Sequence, residues 1–403
     1  MKQAAARPAW PWRLGLPLAF LLVFHQGTAW AQPPAGYAFP GQLQGPVFAQ
    51  EPPPPTAPEF CPPSQGPSRV FAVPFFSRHT PDNAFVEFCG PDQPPFWYFG
   101  LGPIALFRQG LGNGVIAVRD PTGADNTTLP PPGQPVLVDY NNLYPQPNLG
   151  IRGQLGISNG GSAWEVSGFY VFNRQSSHVA TVPSRLDLPF AAFDAPFPFN
   201  RFLWLQADQV TLDFENAAGS IEFNHRALVA RNLEFLVGLR YFDYMENFSI
   251  RTEDNSISAP PGNPADIATY RVATHSHILG PQFGLAYETL LVPIVAIGAD
   301  TKSTQGVNVN TVRHALERGD GVQGPGSNTT RVQYSSVYEL NFYSILVLNE
   351  YIRIRAGYQL NWLLFVPEAH AQVNFDPNIA NGTVNTTGSI FLHGPFLELQ
   401  FKF

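Results

Sequence analysis

Long stretches of this chain alternate apolar and polar residues with a period of two. From Tyr351 to Leu364 the even positions are apolar or amphipathic, whereas the odd positions include Arg353 and Arg355. The segments 149–158, 221–229 and 331–342 alternate in the same way. Successive side chains of a β-strand point to opposite faces of its sheet, so each segment predicts a strand with one apolar and one polar face.

The length of these runs separates two kinds of β-protein. A soluble β-sandwich turns its apolar faces inward and uses strands of about 5 to 6 residues. A transmembrane β-barrel turns them toward lipid and needs about 9 to 11 residues per strand. The alternating runs here extend over about 11 to 17 residues. The pattern therefore favours an all-β protein with a closed antiparallel transmembrane β-barrel, and a secreted sandwich stays open as an alternative.

Strand order supports the barrel. The candidate strands are 96–107, 148–158, 163–173, 208–230, 233–251, 267–289, 292–304, 331–347, 350–364 and 393–403. Their connections alternate between tight turns and long segments, which include 109–147, 174–207, 252–266, 305–330 and 365–392. Short turns on one rim and long loops on the other are typical of outer-membrane barrels. We expect about ten strands, with eight to twelve possible.

Two candidate strands change their apolar parity, near Gly219 and near Leu279. Splitting both strands would give twelve, but it would put long loops on the short-turn rim. We therefore interpret both changes as β-bulges within long strands.

The N-terminal region predicts export. Residues 1–31 have early Lys and Arg residues, a short apolar run and the small-residue pattern Ala29-Trp30-Ala31, as in a secretory signal peptide. Residues 32–95 form a Pro-rich extension, with 12 prolines between 32 and 67, and are expected to be an extended periplasmic spacer. Residues 96–403 then form the barrel, which we expect in the bacterial outer membrane.

Cys61 and Cys89 both fall in this extension. An oxidising compartment permits a disulfide between them, and it would close a loop of about 28 residues worth roughly 3 to 4 kcal/mol. The sequence makes the bond plausible and leaves it open.

Charge is scarce in this chain. Only 13% of its residues are charged, the net charge is −7, and no Lys/Arg cluster is present. Nucleic-acid binders carry a basic patch, so nucleic acid is not an expected partner.

The last residues predict how the barrel is assembled. Leu397, Leu399, Phe401 and Phe403 alternate with Glu398, Gln400 and Lys402, and the chain ends on an aromatic residue. This is the pattern by which the barrel-assembly machinery recognises its clients. The expected partners are therefore that machinery and outer-membrane lipid.

Several segments together resemble beta-barrel porin family seven, outer-membrane proteins common in planctomycetes and of unassigned function. The resemblance covers about Phe96 to Phe403. Its carriers are NLGIRGQLG at 148–156, WEVSGFYVF at 164–172, GLRYFDYME at 238–246, HILGPQFGL at 277–285, IRAGYQL at 354–360 and the closing FKF. The resemblance implies an outer-membrane barrel, and it implies no catalytic residues.

The polar strand faces supply candidate pore-lining residues. They are Arg152, Glu222, Arg226, Arg240, Glu339, Arg353 and Arg355. Facing charges of both signs favour a porin-like channel for passive diffusion of small hydrophilic solutes. The alternative is a closed structural or adhesive barrel, filled by paired side chains, whose long extracellular loops bind a partner.

The sequence predicts no enzyme, cofactor or metal site. His275 and His277 lie on one face of a strand and could ligate zinc if a third ligand converged. The local sequence supplies no acidic or Cys neighbour for them. A nucleophile-elbow pattern is also missing, so a serine hydrolase is not expected.

Overall fold

Ten long antiparallel strands form a closed ring in a computed structural model of the chain. The structure describes residues 95–119, 136–159, 161–188, 203–230, 232–255, 262–374 and 384–403. The predicted signal peptide, Cys61 and Cys89 lie outside the described residues. Within the described part, no helix has the length and apolar character needed to cross a membrane.

Twelve strands occur among the described residues. They are β1 (Phe96–Arg108), β2 (Val115–Arg119), β3 (Val136–Asp139), β4 (Asn148–Ser158), β5 (Ser162–Asp187), β6 (Ala207–Ala230), β7 (Leu233–Glu253), β8 (Ile267–Val292), β9 (Val295–Arg318), β10 (Gln323–Val347), β11 (Ile352–Val366) and β12 (Gly388–Lys402). Short 3-10 helices occur at Tyr140–Asn142, Pro264–Asp266 and His370–Gln372.

The ring strands pair in chain order, and the pairing of β1 with both β4 and β12 closes the ring. The two short strands β2 and β3 form a side hairpin, and among the described residues it joins β5 at two residue pairs. The predicted barrel of about ten strands is therefore confirmed. The hairpin was not predicted, because its strands are too short to show a period.

Two predicted loops are wrong: β5 continues through residues 174–187 of the segment 174–207, and the segment 305–330 is almost entirely strand. Residues 305–330 form the paired ends of β9 and β10, which leave only a turn from Gly319 to Val322. Composition misled here, since Asn and Thr are frequent in loops. The period of two nevertheless continues, with Val307 and Val309 exposed and Asn308 buried inside the ring.

The predicted bulge near Leu279 is wrong, because β8 pairs with β9 in one register on both sides of Leu279. Near Gly219, β6 pairs with β7 in one register, but its pairing with β5 shifts by one residue between Val171 and Arg174, so the irregularity lies on β5. What changes along these strands is the side of the sheet that is apolar. Near the short-turn rim the exposed outward residues are apolar, as at Ile221. Toward the other rim the buried inward residues are apolar, as at Leu212 and Val272.

A band of exposed large apolar side chains surrounds the half of the ring near the short turns. It includes Trp97, Leu101, Leu155, Trp164, Ile221, Leu239, Phe283, Phe342, Trp362 and Leu397. Soluble monomers rarely expose a continuous apolar patch larger than a few hundred Å². An outward apolar band matches the lipid-facing surface of a membrane barrel, and the alternative of a soluble sandwich is wrong.

Close strand packing at Gly102 gives a test of this register. A Cβ atom at Gly102 would overlap the backbone oxygen of Leu397 on the neighbouring strand, whereas a Cβ at Gly110 would meet nothing within 4 Å. We expect Gly102→Ala to lower the free energy of unfolding by about 1 to 3 kcal/mol. Urea unfolding, followed on a gel that separates folded from unfolded barrel, measures the change. Gly110→Ala is the matched control, and equal effects of the two variants would contradict the register.

Candidate functional site

All seven predicted lumen residues lie inside the ring. They are Arg152, Glu222, Arg226, Arg240, Glu339, Arg353 and Arg355, and each is at most 11% exposed. The inward orientation predicted from the strand alternation agrees with this burial. Their role as pore lining stays a prediction.

Four charged side chains meet at the level of the apolar band, and we call them the central belt: Glu222, Arg240, Lys302 and Glu339. Arg240 Nε lies 3.4 Å from Glu222 Oε1, and Arg240 Nη2 lies 2.7 Å from Glu339 Oε2. Lys302 Nζ lies 2.9 Å from Glu222 Oε2 and 3.2 Å from Glu339 Oε1. Each cation therefore contacts both carboxylates, and the belt carries no net charge.

The register of β8 makes room for the central belt. Gly280 is opposite Arg240, and Gly284 is opposite Lys302. A Cβ at Gly284 would lie 3.3 Å from Lys302 Cγ, so the missing side chain lets the lysine stem lie across the strand. Between these glycines, Gln282 Nε2 donates to Glu222 Oε2 at 3.0 Å.

A second ion-pair cluster lies nearer the short-turn rim. Arg226 Nη2 contacts Glu165 Oε1 at 3.0 Å, and Arg226 Nη1 contacts Glu234 Oε2 at 3.4 Å. Tyr98 donates its hydroxyl hydrogen to Glu165 Oε2 at 2.9 Å. Strands β1, β5, β6 and β7 are thus joined through the lumen, which is filled at this level too.

Further ion pairs cross the interior from the other strands. Arg152 lies 3.4 Å from Glu398, and Arg355 lies 2.9 Å from Asp300. Arg355 also lies over the ring of Tyr343, with its Cζ 3.7 Å from the ring centroid. Hence Arg152 of β4 and Arg355 of β11 are also paired within the described chain.

Above the central belt, the interior becomes apolar. One buried layer includes Ile104, Phe169, Phe242, Tyr244, Ile278 and Leu363. Beyond it Arg108 contacts Glu246 at 2.9 Å and Glu368 at 3.0 Å, which adds one more charged level.

The end of the barrel distal to the short turns is filled by what we call the outer apolar cluster. Its buried members include Ile116, Val138, Leu186, Trp204, Leu212, Phe248, Tyr270 and Leu316. Ile116 and Val138 belong to the side hairpin, so that hairpin fills space between the ring strands. Tyr140 packs against the cluster and donates to the backbone oxygen of His370 at 3.3 Å, and burial raises its pKa well above the usual range. The lumen is thus closed in the arrangement described.

Several buried polar atoms of the lumen lack a hydrogen-bond partner among the described residues. Arg240 Nη2 and Glu339 Oε2 are close but not aligned for a hydrogen bond, and Arg240 Nη1 has no acceptor. Among the described residues, Asn341 Oδ1 and Gln400 Oε1 have no donor, and Arg355 Nε and Asn361 Nδ2 have no acceptor. A buried polar atom with neither a hydrogen bond nor an ion-pair contact costs about 1 to 3 kcal/mol, so the interior is packed without every polar atom being satisfied.

Sequence reasoning missed several lumen residues, notably Lys302, Asp300, Glu165 and Arg108. Glu165 and Arg108 share the parity of buried neighbours, so alternation could have found them. Lys302 was harder to find, because the outward residues beside it are Thr301 and Ser303 and the two faces of β9 look alike.

The predicted assembly signal lies where the ring closes. Leu397, Leu399 and Phe403 are 48%, 40% and 68% exposed, and Phe401 is half-buried. Phe403 exchanges two backbone hydrogen bonds with Trp97 on β1, at 2.9 and 3.0 Å. The last strand therefore presents apolar side chains outward while its backbone completes the barrel.

Sequence comparison supplies the family. The profile of the family described as Putative beta barrel porin-7 matches residues 115–398. The chain belongs to this family. The resemblance seen in the sequence is therefore confirmed, and the protein is an outer-membrane β-barrel. No curated protein matches this chain.

Solved outer-membrane barrels resemble the fold at low identity. The outer membrane protease OmpT from Escherichia coli is 10% identical, with a TM-score of 0.35 over 77% of this chain and 96% of that one. The toluene transporter TbuX of Ralstonia pickettii is 10% identical, with a TM-score of 0.31 over 79% and 94%. The P. putida toluene transporter TodX is 10% identical, with a TM-score of 0.28 over 79% and 92%. Likeness at this level carries no argument about activity.

The central belt gives a stability prediction. Arg240→Gln leaves Glu222 and Glu339 with Lys302 alone, and breaking a buried ion pair costs about 3 to 5 kcal/mol. We expect that loss in the free energy of unfolding, measured by tryptophan fluorescence in denaturant. Arg271→Gln, on the exposed outward face of β8, should change it by less than about 0.5 kcal/mol. Similar losses for both variants would show that the belt contributes no pairing energy.

Proposed function

We propose that this porin-family barrel is a channel for small hydrophilic solutes that is closed in the arrangement described and opens when its interior rearranges. The observation that carries the proposal is the central belt with its unpaired polar atoms. Buried charges are weak contributors to stability, and apolar side chains would fill a permanent scaffold at equal or lower cost. Charges kept across the lumen therefore favour a role in passage.

The chemistry of the belt defines the solute class. A solute at the level of the central belt would face two cations and two carboxylates. The opened path would therefore be polar, without a strong preference for either charge. Hydration of the unpaired polar atoms would offset part of the cost of separating the ion pairs. We propose passage rather than catalysis, with Arg152, Arg226, Arg353 and Arg355 lining the path beside the belt.

The side hairpin is the element we propose to move. It joins the ring at two residue pairs of β5, whereas its buried residues Ile116 and Val138 hold it in the outer apolar cluster. Its position therefore depends chiefly on apolar packing, and loss of that packing would open the distal half of the lumen.

Export and insertion complete this proposal. Residues 1–31 would direct secretion, residues 32–95 would remain in the periplasm, and the last strand would be recognised by the barrel-assembly machinery.

A second candidate is a permanently closed barrel that presents its distal end to a partner. Its support is the length of the strands, since β7 continues for ten residues beyond Asp243 with mainly polar outward side chains. That length projects roughly 25 Å beyond the apolar band for a strand tilted by about 40°. Such a projection would suit an adhesive or structural role.

Planar-bilayer recording on the refolded protein separates the two candidates. Ile116→Asp puts a charge into the outer apolar cluster, which costs at least about 2 kcal/mol and should raise the open population roughly 30-fold. We expect rare openings for the unchanged protein and frequent openings for this variant.

Val179→Asp, at a residue 52% exposed on the outside of β5, is the matched control and should behave like the unchanged protein. Heat-modifiable gel migration verifies that each barrel is folded. Folded barrels that stay silent in all three cases would reject the channel and favour the closed scaffold.

A further inference from the structure

Three potential metal ligands meet on the outside of the barrel, away from the lumen. Asp243 on β7 lies directly opposite His277 on β8, and His275 lies two residues along the same face. His275 Nε2 is 2.7 Å from Asp243 Oδ1, and His277 Nδ1 is 3.0 Å from the same oxygen. One atom from each residue falls within 4.8 Å of the other two.

The two histidines approach Asp243 Oδ1 with different ring nitrogens, because they occupy different positions in the strand register. A directly opposite residue is about 5 Å away and a diagonal one about 7 to 8 Å. His277, directly opposite, uses the near nitrogen Nδ1, whereas the diagonal His275 uses the far nitrogen Nε2. The imidazole rings lie 3.9 Å apart between centroids, so both converge on one small volume.

The cluster is accessible and lies at the edge of the apolar band. The side chains of Asp243, His275 and His277 are 33%, 40% and 37% exposed. The exposed apolar residues Leu239 and Leu279 lie toward the short-turn rim, and the outward residue Arg251 lies toward the other rim. Charged groups are tolerated on the outside of a barrel at this level, near the interface. The Tyr241 hydroxyl lies 2.8 Å from His277 Nδ1, and metal binding at that nitrogen would replace this contact.

The geometry points to a binding site for a divalent transition-metal ion, such as Zn²⁺, formed by Asp243, His275 and His277. Two imidazoles and a carboxylate are a known zinc ligand set, and a water molecule completes four-coordination. A bound metal would hold each ligand atom about 2.0 to 2.2 Å from its centre, and it would link β7 to β8. Imidazole nitrogen also accepts cobalt and nickel, whereas magnesium and calcium prefer oxygen ligands.

This site is independent of solute passage. The local sequence offered His275 and His277 no third ligand, and the strand register supplies Asp243 from the neighbouring strand.

Cobalt titration of the refolded full chain, without an added histidine tag, tests the site. Co²⁺ in a site with two imidazoles and a carboxylate gives visible absorption, which we expect to saturate at one equivalent and to be displaced by Zn²⁺. Asp243→Asn, His275→Ala and His277→Ala should each weaken binding by about 100-fold or more, since even outer-shell partners contribute roughly 10- to 100-fold.

His393→Ala is the matched control. His393 also lies among aromatic rings on the barrel surface, in contact with Phe107, Tyr358 and Phe391, and its loss should leave cobalt binding unchanged. No absorption up to millimolar cobalt would overturn the proposal. Cobalt binding that persists in Asp243→Asn and His275→Ala would overturn it as well. So would an equal loss of binding in His393→Ala.

Discussion

The fold depends on the change of surroundings along the barrel axis. Near the short turns the outside of the ring is apolar and the inside is charged, whereas toward the distal rim the inside is apolar. β6 keeps one register with β7 from Gln209 to Leu228, and β8 keeps one register with β9 from Ala268 to Leu290, so both arrangements occur along the same strand pairings. The apolar side of each strand faces lipid where lipid is present, and it faces the other strands where the outside is water.

This change of sides explains how the interior is filled. A ring of ten strands has little internal space, and side chains occupy most of it. In the membrane half the inward side chains must be the polar ones, so the lumen closes through ion pairs such as those of Arg240 and Lys302. In the distal half the same inward positions are apolar, and the side hairpin adds Ile116 and Val138 to close the space. The two halves are therefore closed by different interactions.

Ion pairs and apolar contacts respond differently to disturbance. Removing one partner of a buried ion pair leaves an uncompensated charge. In the central belt, several polar atoms also lack an aligned hydrogen-bond partner among the described residues. The outer apolar cluster is held by apolar contacts rather than ion pairs, and among the described residues the hairpin within it has few backbone bonds to the ring. A closed state with an under-satisfied polar layer and a weakly joined hairpin is the physical basis for considering this barrel a channel that opens.

Strand alternation and strand length by themselves determined that this chain is a barrel of about ten strands, and that residues such as Glu222, Arg240 and Arg355 face inward. These properties are local, because parity follows from the geometry of one strand. Alternation did not reveal Lys302 beside polar outward neighbours, nor the strand ends between 305 and 330, nor the meaning of the parity change near Gly219. Only the tertiary structure decided which charges pair, that the side hairpin fills the distal lumen, and that Asp243 meets His275 and His277. Each of these depends on register between strands, which joins residues that are far apart in the chain.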